Sequence, residues 1–173
     1  MICKFFKKTK KISSETKITP VKNPTPPPNI NSRKCYQAAS GYIGVKEIPG
    51  SQHNPKIQEF HKRITGQELS DETPWCAAFV GFVLHCCGIR HSSSLLARSY
   101  ADLFTEVPLE SAQQGDIVLL WRESPESWKG HVGFVHKVNK TTIEILGGNQ
   151  SDSVNITKYP IDRVLTVRRV VEV

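Results

Sequence analysis

Two residues in this sequence pair a reactive side chain with a setting that would activate it. Cys76 lies in Thr73-Pro74-Trp75-Cys76-Ala77-Ala78-Phe79-Val80. Thr73 is a good helix N-cap and Pro74 suits the first helical position, so Cys76 falls in the first turn. Unpaired backbone N–H groups and the helix dipole favour anions there, hence thiolate over thiol, and the thiolate is the form that attacks a carbonyl. The same amides would stabilise the oxyanion of a tetrahedral intermediate. The matching base is His131, in Lys129-Gly130-His131-Val132-Gly133-Phe134. It opens a strand, flanked by glycines that let the backbone pass close to a neighbour. At a period of 2 it shares a face with Gly133 and Val135, while His136 points the other way. His61 and His91 read as exposed or capping residues, and His85 rides a helix. A third group should hold the imidazole in its working tautomer. Asn149, in Gly147-Gly148-Asn149-Gln150, is one candidate and Glu144 its competitor.

The elements that must position these residues are legible in the pattern. Tyr36 to Tyr42 reads as a short opening helix, ended by Gly44. Asn54-Pro55 caps and starts a second helix, with Ile57, Phe60 and Ile64 on one face and Gly66 as its stop. From Thr73 to Gly88 the residues are apolar nearly all round, which marks a buried central helix. A further stretch, from about Ser94 to Leu103, is expected to be helical. After Gly115-Asp116 the period shortens. Strands are expected at 117–121, 131–138, 142–146, 154–159 and 164–171, joined in sequence as an antiparallel meander. Helices followed by such a sheet give an α+β domain.

Charge divides the chain differently. The sequence has 173 residues and a formal net charge of +7, which invites a nucleic-acid reading. Residues 1–34 hold nine basic side chains against Glu15 alone, so the remaining 139 positions hold 14 basic and 15 acidic groups and are close to neutral. No nucleic-acid partner is expected of such a domain. Residues 1–34 also carry five of the 11 prolines and are expected to form a disordered basic leader, leaving 35–173 as the folded domain. The leader has a basic start but no apolar core, so it does not read as a secretory signal. No run approaches the length of a membrane span. The five cysteines, Cys3, Cys35, Cys76, Cys86 and Cys87, have no disulfide or zinc spacing and read as free thiols. Cys86 and Cys87 read as packing residues. A metal site from His85, Cys86, Cys87 and His91 fails, because adjacent cysteines on a regular helix cannot face one ion.

Taken together, the Thr73–Val80 motif, Gly115-Asp116-Ile117-Val118, Gly130–Phe134, Gly147–Gln150, Pro49-Gly50-Ser51 and Asn54-Pro55 resemble the CHAP family of bacterial and phage proteins. The resemblance covers roughly residues 36–170. It implies a papain-like α+β fold and a cysteine- and histidine-dependent amidohydrolase or peptidase that cuts peptidoglycan. Carried over by position, Cys76 matches the nucleophile, His131 the general base, and Asn149 the polar residue that orients the histidine. Many family members have an acidic residue two places before that Asn, where this chain has Gly147. The third role therefore lies with Asn149 alone, or with help from Gln150 or Glu144. Glu47 and Arg98 read as fold or cleft-wall residues, and Asp116 as a turn former.

The resemblance implies an endolysin-like enzyme, either an amidase cutting between muramic acid and the stem peptide or an endopeptidase cutting within it. No metal or organic cofactor is expected, and the chain is expected to be a monomer. The alternative is an inactive wall-binding or virion structural module of the same fold. Without a recognisable signal, the protein is expected to be made in the cytoplasm and to act at the wall after release. Its basic leader is expected to contact an anionic envelope.

Overall fold

The computed structural model describes residues 29–171. Its first helix, α1 (Ile30–Ser40), starts earlier than the sequence suggests. Asn29 caps it, its side-chain oxygen accepting the N–H of Asn31 at 2.8 Å and of Ser32 at 3.4 Å. Residues 30–34 are therefore helical and belong with the domain rather than with a leader ending at 34. Contact explains the shift. Ser32 is buried and its hydroxyl donates to Asp116 at 3.1 Å. Asp116 also pairs with Arg169 at 2.8 Å. Gly115 (φ +90°) passes so close that an added Cβ would lie 2.1 Å from the Ser32 carbonyl oxygen. Residues 1–28, the rest of the expected leader, lie outside the described residues.

Helix α2 (Pro55–Thr65) forms as expected, capped by Asn54 and stopped by Gly66 in the left-handed conformation. It buries Ile57, Phe60 and Ile64. It also buries His61, contrary to the surface reading, with the ring against the backbone of Thr73 and Pro74. Helix α3 (Cys76–Cys86) is the central helix, buried from Cys76 to Leu84. At Gly81 a Cβ would meet Ile64 and the Tyr100 hydroxyl, both at 2.8 Å, so glycine lets α2 and α3 approach. His85 and Cys86 are exposed, so Cys86 does not pack; Cys87 does. The stretch from 94 to 103 yields only a 3-10 turn at Ala97–Tyr100. Its serines satisfy the backbone locally instead: Ser94 accepts the Leu96 N–H at 3.1 Å and Ser99 donates to the Leu96 carbonyl at 2.7 Å.

Six strands follow: β1 (Thr105–Val107), β2 (Ile117–Trp121), β3 (Gly130–Val138), β4 (Thr142–Gly147), β5 (Asn155–Pro160) and β6 (Val164–Arg169). They form one antiparallel sheet in the order β1-β6-β2-β3-β4-β5. The meander from β2 to β5 is the expected one. The short β1 is an addition, and β6 turns back to lie against the far side of β2. Alternation assigns the two faces. Ile117, Leu119, Val132, Phe134 and Leu146 pack with α3, while Val118, Leu120, Val135, Ile143, Ile145 and Val167 build a second cluster behind the sheet. The result is an α+β fold with the start of α3 set against the start of β3. No helix among the described residues is long and apolar enough to cross a membrane.

Candidate active site

Cys76 is the first residue of α3, not the third, because Trp75 takes the cap position. The indole of Trp75 explains this. It packs on Gly148, where a Cβ would lie 2.5 Å from the ring, and its Nε1 donates to Glu47 at 2.7 Å. Glu47 also accepts from the Asn149 side chain at 3.0 Å. One carboxylate thus ties the loop before α2, the start of α3 and the turn after β4. The first helical bond runs from the Phe79 N–H to the Trp75 carbonyl at 2.9 Å, so the amides of Cys76, Ala77 and Ala78 precede it. Those of Cys76 and Ala77 face the sulfur, as does the amide of Val132 on β3.

Val132 is the neighbour of His131, which is fully buried at the start of β3. Its Nε2 lies 2.9 Å from the side-chain oxygen of Gln150. The Gln150 nitrogen is committed to carbonyl oxygens of Ile145 (3.2 Å) and Asn155 (2.7 Å) and to the Asn155 side chain (3.0 Å). Its oxygen must therefore face His131, and an amide oxygen only accepts, so Nε2 carries the proton. The neutral ring then presents a lone pair on Nδ1. Tyr159 donates to the same Gln150 oxygen at 3.1 Å and lies beside the imidazole, ring centroids 5.6 Å apart.

Asn149 does not fill the orienting role expected of it. It stands in the left-handed conformation (φ 56°), which turns its side chain to Glu47 while Gln150 turns in to His131. Gly147 makes the exchange possible. A Cβ there would lie 3.0 Å from the Gln150 oxygen and 3.3 Å from His131 Nε2, in space the amide occupies. Glu144 is also elsewhere, accepting from Asn139 at 3.1 Å and lying 3.9 Å from His136. In the sequence, Gly147 followed by a glutamine three residues later was the available signal for Gln150.

Electrostatics in the substrate-free site favour a neutral pair. Burial pushes the Cys76 thiol up, outweighing the pull of the Val132 amide, the Arg122 guanidinium and the first-turn amides. The expected thiolate is thus offset by desolvation. Burial likewise pushes His131 down to about 4; Gln150 opposes this, and Arg122 and Arg163 add to it. Cys76 lines a cleft of about 600 Å³ together with Arg122, Trp128, Leu96 and Asn149, and His131 is fully buried one residue beyond Gly130 of its wall. Trp128 and Leu96 are exposed there.

A cysteine at a helix start and a tautomer-fixed histidine on a facing strand are the parts of a nucleophile–base pair. The model of the CHAP domain family matches residues 69–149, a span holding Cys76 and His131 but ending one residue short of Gln150. No protein of curated function matches the sequence. Among solved structures, the P60 domain of an M. avium subspecies paratuberculosis antigen superposes with a TM-score of 0.52 at 11% identity, over 83% of this chain and 96% of that one. A hypothetical invasion protein of Mycobacterium tuberculosis gives 0.53 at 14% identity, over 83% and 63%. NlpC1 from Trichomonas vaginalis gives 0.50 at 14%, over 81% and 44%, so this chain spans less than half of that protein. At such identities the likeness is one of fold. Residues 69–149 are thus similar to the CHAP domain, and the α+β fold of the chain is similar to that of the P60 domain and of NlpC1.

Proposed function

We propose that this protein hydrolyses an amide bond of peptidoglycan, with Cys76 as nucleophile, His131 as base and Gln150 holding the imidazole. The observation that carries the reading is the His131 Nε2–Gln150 bond, which leaves Nδ1 as the free acceptor of a ring whose strand neighbour, Val132, turns its amide to the Cys76 sulfur. In the free protein both groups are neutral, so the proton moves as attack begins. The Sγ–H proton passes to Nδ1, the sulfur bonds to the amide carbon, and the carbonyl becomes an oxyanion facing the amides of Cys76 and Ala77. Collapse of the intermediate breaks the C–N bond, and the amine leaves with the proton from Nδ1. Water, deprotonated by His131, then cleaves the thioester and restores both groups.

The bond cut is either the one joining muramic acid to the stem peptide or one within the peptide, and an endolysin-like role with action at the wall after release fits either. Replacing Cys76 by Ala should abolish release of new amino groups from purified peptidoglycan, by about 10⁴-fold or more, with an unchanged circular dichroism spectrum. Lysis that survives the change excludes this mechanism. A wild-type protein that binds wall without cutting it would instead be the inactive binding module.

A further inference from the structure

We infer that Arg122 reads a carboxylate on the substrate, on the residue next to the amide that Cys76 attacks. The inference rests on the nucleophile–base reading of Cys76 and His131. Arg122 follows the last residue of β2, and its backbone N–H donates to the Lys129 carbonyl at 3.3 Å. Its side chain is exposed and lines the cleft that holds Cys76. Nη2 stands 3.5 Å from His131 Nδ1, the nitrogen that must accept the proton. Its charge also reaches the Cys76 thiol and the Tyr159 hydroxyl.

Of the other charged groups nearby, Arg98 turns its Nη2 away to the Pro125 carbonyl at 2.9 Å. Lys129 pairs with Glu123 at 2.5 Å. Arg163, the other guanidinium facing His131, donates to the Trp121 carbonyl at 2.9 Å and lies over the Trp121 and Tyr159 rings. Among the described residues, no carboxylate lies within ion-pairing distance of Arg122. The cleft therefore presents one guanidinium without an acidic partner, beside the reacting atoms. A guanidinium matches a carboxylate by two parallel, charge-assisted hydrogen bonds, which a carboxamide cannot reproduce. The pairing also has a consequence for the chemistry. An uncompensated cation at Nδ1 opposes protonation of His131, whereas a substrate carboxylate on Arg122 cancels that charge and draws the guanidinium off the lone pair. Substrates of this class are stem peptides with a free carboxylate adjoining the cleaved amide; their amidated counterparts are poor ones.

The test uses the full chain and two synthetic muropeptides that differ only in carboxylate against carboxamide on the residue next to the cleaved bond. Cleavage should favour the carboxylate by about tenfold or more in kcat/KM. Arg122→Gln should bring the two rates together, and Arg122→Lys should restore part of the preference. The same pair is titrated calorimetrically into Cys76→Ala and Cys76→Ala/Arg122→Gln proteins, where the preference should be present and then lost. Cleavage of both peptides at equal rates, or a preference that persists in Arg122→Gln, overturns the inference and leaves the hydrolase reading intact. No cleavage, with binding preference present and dependent on Arg122, sinks the hydrolase reading and leaves the carboxylate site. Neither cleavage nor binding sinks both.

Discussion

The Gln150 side-chain oxygen sits 2.9 Å from His131 Nε2, packed over Gly147, where an added Cβ would come within 3.0 Å of that oxygen. Gln150 should therefore matter more than its neighbour Asn149. Gln150→Leu keeps the volume but loses the acceptor, so kcat should fall by about 10²-fold or more. Asn149→Gly keeps the left-handed backbone and should stay within about tenfold. Steady-state kinetics on a soluble muropeptide separates them, and equal losses at both positions would exclude this assignment.

The pH dependence follows from burial of His131. Its ordinary value is 6.5 and burial brings it to about 4 in the folded protein. The base is neutral above that value, so kcat/KM should hold down to pH of about 5 and fall below about 4. Stability should change in the same direction. Between the two values the unfolded chain binds the proton and the folded one does not. The stability associated with a neutral His131 is thus present above about 6.5 and lost as pH falls toward 4, by about 3 kcal/mol. Burial shifts His61 downward too, adding to the slope. Urea unfolding at pH 7, 5.5 and 4.5 measures this, and a flat profile would contradict the buried, neutral rings.

Truncation should distinguish residues 1–28 from residues 29–34. Removing 1–28 should leave the thermal midpoint unchanged while weakening adsorption to anionic vesicles at low salt, an attraction confined to a Debye length of ~8 Å at physiological salt. Removing 1–34 also deletes the Asn29 cap and the buried Ser32–Asp116 bond, and should cost about 2 kcal/mol or more. Equal midpoints for the two truncations would show that α1 is dispensable before Cys35.

Gly148→Ala tests the support beneath Cys76. The new methyl would meet the Trp75 ring at 2.5 Å and the Phe79 Cβ at 2.8 Å. Overpacking there should cost about 1–3 kcal/mol and lower kcat by displacing the residue that precedes the nucleophile. An unchanged melting curve would mean that the indole moves aside freely.

What could be read from the sequence was what depends on local pattern. Asn54-Pro55 with Gly66, the apolar run through Leu84 and the alternation after Gly115 announce their elements directly. The placing of Cys76 at a helix start and of His131 at a strand start was legible because both are local events. Gln150 was not, since which of two adjacent side chains meets His131 depends on the φ of Asn149 and on space left by Gly147. The thiolate expectation failed for a similar reason: the helix start is visible in sequence, but the burial that outweighs it comes from the packed sheet. The serines at 92–99 look compatible with a helix until their hydroxyls bond to the backbone and to one another.

The position of β6 has a consequence for how the protein is made. Residues 164–169 lie between β1 and β2, one strand in from the edge of the sheet. A nascent chain translated only as far as β5 leaves one side of β2, which follows directly on to Arg122, without its hydrogen-bonding partner. Closure needs contacts between residues about fifty positions apart, the slow kind in folding. β6 must therefore leave the ribosome before β2, the strand that leads into Arg122, gains its second partner.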